Sequence, residues 1–225
     1  MAYNWDYLDK KAYNNKVGKY KFKREYDFIY KNGRDHFDNV LDVAGGAGRF
    51  AIPLSEFSGC IKVLDANETA LQLLNQRKPE IDTILGDFMK MDFNEKFSFI
   101  LCIEALGYFL NWKEFFLRIS QLMQEDARFV FSYQNPQSWR FFLRKLKHWK
   151  NGFYEYKEMN LEQLKELLNQ CNLEIVEMEG MNWMPLSLAS NSTLVWIFEK
   201  MEQLFQLNKF YSQSPWILFS IKKRY

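Results

Sequence analysis

Cysteine, histidine and proline are all scarce in this 225-residue chain, at three, two and five residues. Cys60, Cys102 and Cys171 lie far apart with no Cys-x-x-Cys pair. That spacing excludes a disulfide framework and a structural zinc centre, so no metal site is expected, and a reducing, cytoplasmic setting fits best. With His36 and His148 as the only imidazoles, histidine chemistry has few places to reside. The longest uncharged stretch, 181–198, holds Pro185 and several Asn and Ser residues, which makes a poor membrane span. The opening MAYNWDYLDKKAYNNK lacks the apolar core of a secretory signal. Nor does one charge sign dominate: a net charge of +2 argues against a nucleic-acid partner, although local clusters exist.

What is present is a hydrophobic content of 48% with an aromatic share of 18%, high enough to call for an aromatic core or a binding surface. The length suits one domain, 1–225, carrying insertions. Residues 1–37 are charged and aromatic and are expected to form short helices laid over the rest as a cap, ending at Lys31-Asn32-Gly33. Apolar runs and helical patterns then alternate. Strands are predicted at 39–43, 60–64, 81–85, 97–103 and 128–133, and helices at 49–56, 67–75 and 112–124. The continuous apolar run FSFILCI at 97–103 should be central in a sheet covered on both faces. Later come a helix capped by Asn160 with Gln163 three residues on, a strand from Leu173, an amphipathic helix over 194–207 and a last strand from Trp216. The pattern predicts an α/β, Rossmann-like doubly wound fold: a seven-stranded, mostly parallel sheet with an antiparallel C-terminal strand, an N-terminal helical cap and helical insertions at 135–159 and 181–213.

The stretch VLDVAGGAGRFA, 40–51, runs from an apolar strand through an acid into a small-residue loop. Gly46 to Ala51 fits the dinucleotide fingerprint GxGxxG/A, and Asp65 lies about 20 residues on, where an acid holds ribose hydroxyls. Against a dinucleotide stands Asp42, whose carboxylate would face a pyrophosphate at close range. A cationic ligand without phosphate would welcome the same acid. The motifs resemble those of class I S-adenosylmethionine (SAM)-dependent methyltransferases: LDVAGGAGR is similar to the family's first motif, with Ala44 in place of its first glycine, VLDAN to the second and LGDFMKMDF to the third. The resemblance covers roughly 38–178 and 215–223, and the chain departs from the pattern at Phe97-Ser98, where the family often has Phe-Asp.

The resemblance implies SAM as cofactor, with S-adenosylhomocysteine as product. It places Asp42, Ala44, Gly45, Gly46 and Gly48 at the loop, Asp65 on the ribose and Ala66 against adenine. Asp87 would accept from the adenine amino group, Phe88 would supply a backbone donor or a ring contact, and the strand-end backbone at Cys102 and Ile103 would meet the methionine part. Each acid also has a plain structural reading as a cap or turn residue.

Methyl transfer needs alignment of donor and nucleophile, and a general base where the acceptor is a hydroxyl. Glu104 after the fourth strand, Tyr108 and His148 are the candidate catalytic residues, whereas His36 precedes the first strand, on the wrong side of a site at strand C-termini. The insertion SWRFFLRKLKHWKNGFYEY, 138–156, reads either as a solvated amphipathic helix or as a lid for an anionic or sugar-linked small-molecule acceptor. The apolar 181–213 segment is expected to wall the acceptor pocket or to pair subunits, in a monomer or homodimer. A catalytically silent SAM-binding regulator, an RNA methyltransferase and an NAD-dependent enzyme are the alternatives.

Overall fold

The computed structural model of the chain describes residues 13–148 and 159–224, with the side chains of 144–148 outside the description. Its centre is a seven-stranded sheet of order β3-β2-β1-β4-β5-β7-β6. The strands are β1 (Asn39–Val43), β2 (Cys60–Asp65), β3 (Asp82–Leu85), β4 (Phe97–Cys102), β5 (Met123–Gln134), β6 (Leu173–Met181) and β7 (Trp216–Lys223). The pairs from β3 through β5 are parallel, and β7 runs antiparallel to both β5 and β6. Every side chain of β4 is buried, as its unbroken apolar run required, and successive residues feed opposite faces. Ile100 and Cys102 join one core with Leu41, Phe129 and Phe219; Phe99 and Leu101 join the other with Val40 and Val130.

On the first face lie α4 (Trp112–Leu122), burying Phe115, Phe116 and Ile119, and α6 (Leu161–Gln170), burying Leu164 and Leu168. The capping box expected of Asn160 and Gln163 is formed, at 2.9 Å in each direction. On the second face lie α1 (Lys16–Gly33), α2 (Ala51–Leu54) and α3 (Glu68–Arg77), with Phe28, Ile29, Leu54, Leu71 and Leu74 in its core. Two further helices, α5 (Trp139–His148) and α7 (Leu194–Leu204), lie in the segments predicted as insertions.

Three expectations are corrected. Among the described residues of the N-terminal region, 16–33 form one 18-residue helix where short helices were expected, and it packs into the layer against β5, β6 and β7. Buried Val17, Tyr20, Lys21, Glu25, Phe28 and Ile29 follow the helical repeat, a stripe obscured by the half-buried Phe22 and Tyr26 and the exposed Tyr30 beside it. The predicted helix at 49–56 shrinks to a single turn: Gly48 is left-handed at φ +77°, and Pro53 has no N–H to bond the Arg49 carbonyl and start the helix there. Strand β5 begins five residues early: Met123 pairs with Phe97, the polar Gln124, Glu125 and Asp126 bulge out, and regular pairing resumes at Arg128 opposite Phe99. Helix α7 buries Val195 and Glu202 and exposes Leu194, Trp196, Ile197, Met201 and Leu204.

Helix α1 is tied down at its N-terminal end. Its Asn15 cap accepts from the Gly18 N–H and donates to the Leu188 carbonyl at 2.9 Å, while the Lys16 and Val17 N–H groups donate to Asn191 and Ser190. Tyr20 donates its phenol proton to Glu202 of α7. No helix among the described residues is long and apolar enough to cross a membrane.

Candidate active site

The loop after β1 turns on backbone that few side chains tolerate. Gly46 and Gly48 have φ of +56° and +77°, and Ala44, where the resembled motif has glycine, is also left-handed at +58°. Gly45 covers Asp42 so closely that a Cβ there would stand 2.5 Å from the carboxylate, and one on Gly48 would meet Leu74 of α3 at the same distance. Asp42 is 2% exposed and its Oδ2 has no hydrogen-bond partner. Burial, then the charge of Asp65, raises its carboxyl well above the usual range.

Asp65 closes β2 and locks the loop from the other side. Its Oδ2 accepts the Gly46 N–H at 2.9 Å and its Oδ1 the Asn67 N–H at 2.8 Å. Beside it a cleft of about 710 Å³ runs past the ends of β1, β2 and β3, lined by Ala44, Asp65, Ala66, Asn67, Asp87, Phe88 and Tyr108 among others. Asp87 is half-exposed at the rim, its Oδ1 accepting from the Met89 N–H. The Phe88 ring is 2% exposed and packs against Phe93, Phe109 and Phe115. Cys102 and Ile103 send their side chains into the two cores, one to each face, which leaves their backbone toward the strand end. Burial, aided by Asp42, pushes the Cys102 thiol far above its usual value.

Glu104, the second residue beyond β4, sits at φ +60° with its N–H donating to Ser132 Oγ at 2.6 Å. Its carboxylate takes Lys21 Nζ at 2.8 Å, Arg49 Nη1 at 2.6 Å and the Tyr13 hydroxyl at 3.2 Å. Arg49 also reaches Glu25 Oε2 at 2.6 Å, and Glu25, fully buried, lies 3.7 Å from Lys21. The Arg49 guanidinium lies 4.6 Å from the Tyr13 ring centre, and Lys21 lies 4.1 Å from that of Trp216. Burial works against ionisation of Glu104, but Lys21 and Arg49 outweigh it and hold the carboxyl below the usual range. Glu25, buried more completely and sharing the same cations, is pushed upward.

A second pocket, about 310 Å³, opens beyond the ends of β4 and β5. Glu104, Tyr108, Trp112, Ser132, Tyr133, Gln134, Phe141 of α5, Leu188 and Trp216 line it. Tyr108 lines both cavities and is 67% exposed. Of the three predicted catalytic residues, Glu104 and Tyr108 thus meet at one place. The side chain of His148 lies outside the described residues, and His36 packs beside Ser98, whose hydroxyl donates to its carbonyl, at the opposite end of the strands.

Sequence reasoning missed Lys21, Glu25 and the aromatic wall of the second pocket. A signal existed for the pair, since Lys21 and Glu25 stand four apart on the buried stripe of α1, where charges demand partners. The wall is drawn from five separate segments and has no local signature.

With the geometry in place, residues 11–178 match the family model described as a methyltransferase domain. The chain is 29% identical over 117 residues to the sterol 24-C-methyltransferase ERG6 of Saccharomyces cerevisiae, covering 48% of this chain and 30% of that protein. It is 21% identical to the ubiquinone biosynthesis O-methyltransferase of Rickettsia canadensis, over 69% of this chain and 72% of the relative. The chain therefore spans about a third of the length of the sterol methyltransferase. Among solved structures, a SAM-dependent methyltransferase from Clostridium acetobutylicum aligns with TM-score 0.65 at 16% identity, covering 91% of this chain and 92% of that one. The PH0226 protein of Pyrococcus horikoshii aligns with TM-score 0.67 at 12% identity over 99% and 100%. The fold, the glycine loop with its two acids, and the match over 11–178 lead to one conclusion: the chain belongs to the class I SAM-dependent methyltransferases.

Proposed function

We propose that the chain, as one domain over 1–225, transfers a methyl group from SAM to a small-molecule acceptor, with the larger cleft for the donor and the smaller pocket for the acceptor. The observation that carries this reading is the meeting of the two cavities at Tyr108, beyond the C-terminal ends of the strands where open α/β sheets take ligands. The residues present fit SAM. A buried carboxyl with one oxygen lacking a hydrogen-bond partner, that of Asp42, beneath a loop too tight for a Cβ at Gly45, suits a cationic ligand and not a phosphate.

In this reading Asp65 holds the ribose hydroxyls with the lone pairs left over from Gly46 and Asn67. Ala66, Asp87 and the Phe88 backbone border the adenine, and Ala44, Gly45, Gly46, Gly48 and the backbone of Cys102 and Ile103 border the methionine part. When bound, SAM supplies a methyl group already activated on a sulfonium. The chain's own task is to align the acceptor and exclude water, and positioning of this kind can supply ≈ 7–11 kcal/mol. The segments 135–159 and 181–213 contribute to the acceptor wall through Phe141, Met159 and Leu188.

An anionic or sugar-linked acceptor drew its support from the basic stretch at 138–156. Of that stretch Arg140 is described, and it donates to the Leu186 carbonyl without lining the pocket. The full engagement of Glu104 with Lys21, Arg49 and Tyr13 favours a second reading, a SAM-binding protein without turnover. Calorimetric titration with SAM and S-adenosylhomocysteine, followed by transfer from labelled SAM across sugars, amines, carboxylates, phenols and RNA, separates the two. Binding of NAD in place of SAM would sink both.

A further inference from the structure

Helix α7 is amphipathic in the reverse sense. Its inward face carries Val195 and Glu202, and the buried Glu202 is held by the Tyr20 hydroxyl and by the Trp183 N–H at 2.8 Å. Its outward face carries Leu194, Ile197, Met201 and Leu204, spaced as one helical stripe, with Phe205 exposed beside them. Leu204 is 76% exposed. An apolar stripe turned to water, on a helix anchored through a bonded carboxyl, marks an interaction surface.

The charge beside the stripe indicates what covers it. A shallow groove between α1 and α7 is lined by Lys16, Lys19 and Lys23 of α1 and by Trp196 and Glu199 of α7, among others. The three lysines are exposed and lie on one side of α1, at i, i+3 and i+7. Going round α7, Trp196, 60% exposed, and Lys200 stand between groove and stripe, with the Lys200 ammonium 4.1 Å from the Trp196 ring centre. Asp27, paired with Lys23 at 2.9 Å, and Glu199 offset part of the charge of the four lysines. A tryptophan and lysines at the margin of an apolar helical stripe suit a helix seated in the headgroup layer of a bilayer. A second copy docked on this face by a two-fold axis would bring two lysine-rich margins together, which opposes that pairing. With 11 residues, α7 is too short to cross the hydrocarbon layer and would lie along the surface.

We propose that α7 and the lysine stripe of α1 form a docking surface for a membrane bearing anionic lipid, with Leu194, Ile197, Met201 and Leu204 at the acyl-chain boundary and the lysines against the headgroup phosphates. The proposal stands apart from the methyl-transfer reading, since none of these residues lines the donor cleft or the acceptor pocket. The surface is nonetheless joined to that pocket along the chain. Ser190 and Asn191, just ahead of α7, accept the Val17 and Lys16 N–H groups, and Leu188 lines the pocket. A membrane that seats α7 therefore holds the segment that walls the pocket.

The test uses the full chain and vesicle flotation. Binding to vesicles of equimolar phosphatidylcholine and phosphatidylserine should exceed binding to phosphatidylcholine alone by about tenfold or more, and the excess should shrink as salt rises from about 0.1 to 1 M. Ile197→Ser with Leu204→Ser, which leaves the charge alone, should weaken binding to the mixed vesicles by about tenfold or more. Lys16→Gln with Lys19→Gln should instead reduce the preference for the mixed vesicles by a similar factor. All four positions are exposed, so both variants should keep the wild-type thermal midpoint; should one lose it, the other carries the test. No flotation with either vesicle, equal binding to both, or full binding by the Ile197–Leu204 variant would overturn the proposal. A dimer in solution that this variant dissociates would assign the stripe to a second copy instead.

Discussion

Arg49 Nη1 lies 2.6 Å from Glu104 Oε1 while its Nη2 lies 2.6 Å from Glu25 Oε2, so one guanidinium joins the loop after β1, the end of β4 and the helix α1. Removing the guanidinium would leave two buried carboxylates with Lys21 alone. Arg49→Met should therefore destabilise the fold by about 3–5 kcal/mol, read from urea unfolding. Glu25→Gln in the same background should recover part of that loss, because the more deeply buried uncompensated charge is then gone. A loss within about 0.5 kcal/mol for the single variant would show that the cluster is solvent-screened.

Asp42 makes a pH prediction. Its folded-state carboxyl is raised by burial and by Asp65, so its contribution to the stability of the ligand-free protein is complete below the ordinary carboxylate range and is lost as pH rises through the raised value. A sulfonium nearby favours the ionised form and lowers that value. SAM binding should then release a proton, and affinity should climb with pH, by up to about tenfold per unit, between the bound and the free values. Calorimetry in buffers of different ionisation enthalpy measures the released proton; Asp42→Asn should abolish the release, and an unchanged proton count in that variant would refute the assignment.

Asp65→Ala should weaken SAM binding by about 1–3 kcal/mol, since the Gly46 and Asn67 N–H groups lose their acceptor together with the ribose contact. Asp87→Ala, at a half-exposed rim position, should cost less. Equal affinities of wild type and Asp65→Ala would remove that residue from the site.

Ala44 carries the backbone strain of the loop. A left-handed alanine costs about 1–2 kcal/mol relative to glycine, and glycine adds back about 0.4–1 kcal/mol of unfolded-state entropy. Ala44→Gly should leave stability unchanged or raise it by up to about 1.5 kcal/mol, visible as a rise in Tm. A clear drop in Tm would mean that the Ala44 methyl packs to more effect than its backbone strains.

Much of this was legible where the cause is local. The apolar run of β4, the Asn160–Gln163 cap and the acids at the ends of β1 and β2 are written within a few residues each, and the structure places all of them as expected. What was illegible depends on distance along the chain. Lys21, Glu25, Arg49 and Glu104 are scattered over more than eighty positions, and only the folded sheet brings their charges together. The early start of β5 was hidden for a different reason: the exposed Gln124, Glu125 and Asp126 interrupt the pattern by which a strand is recognised.

Helix α1 bears on both cavities at once. Its first turn grips the segment that supplies Leu188 to the acceptor pocket, and its second and third turns hold Arg49 and Glu104 through Lys21 and Glu25. A single rigid body thus carries the wall of one site and the loop of the other. Any ligand that shifts or stiffens this helix from one side must change the affinity on the other, and by the same factor in both directions. In the proposed reading, donor and acceptor affinities are therefore linked through a helix that lines neither cavity.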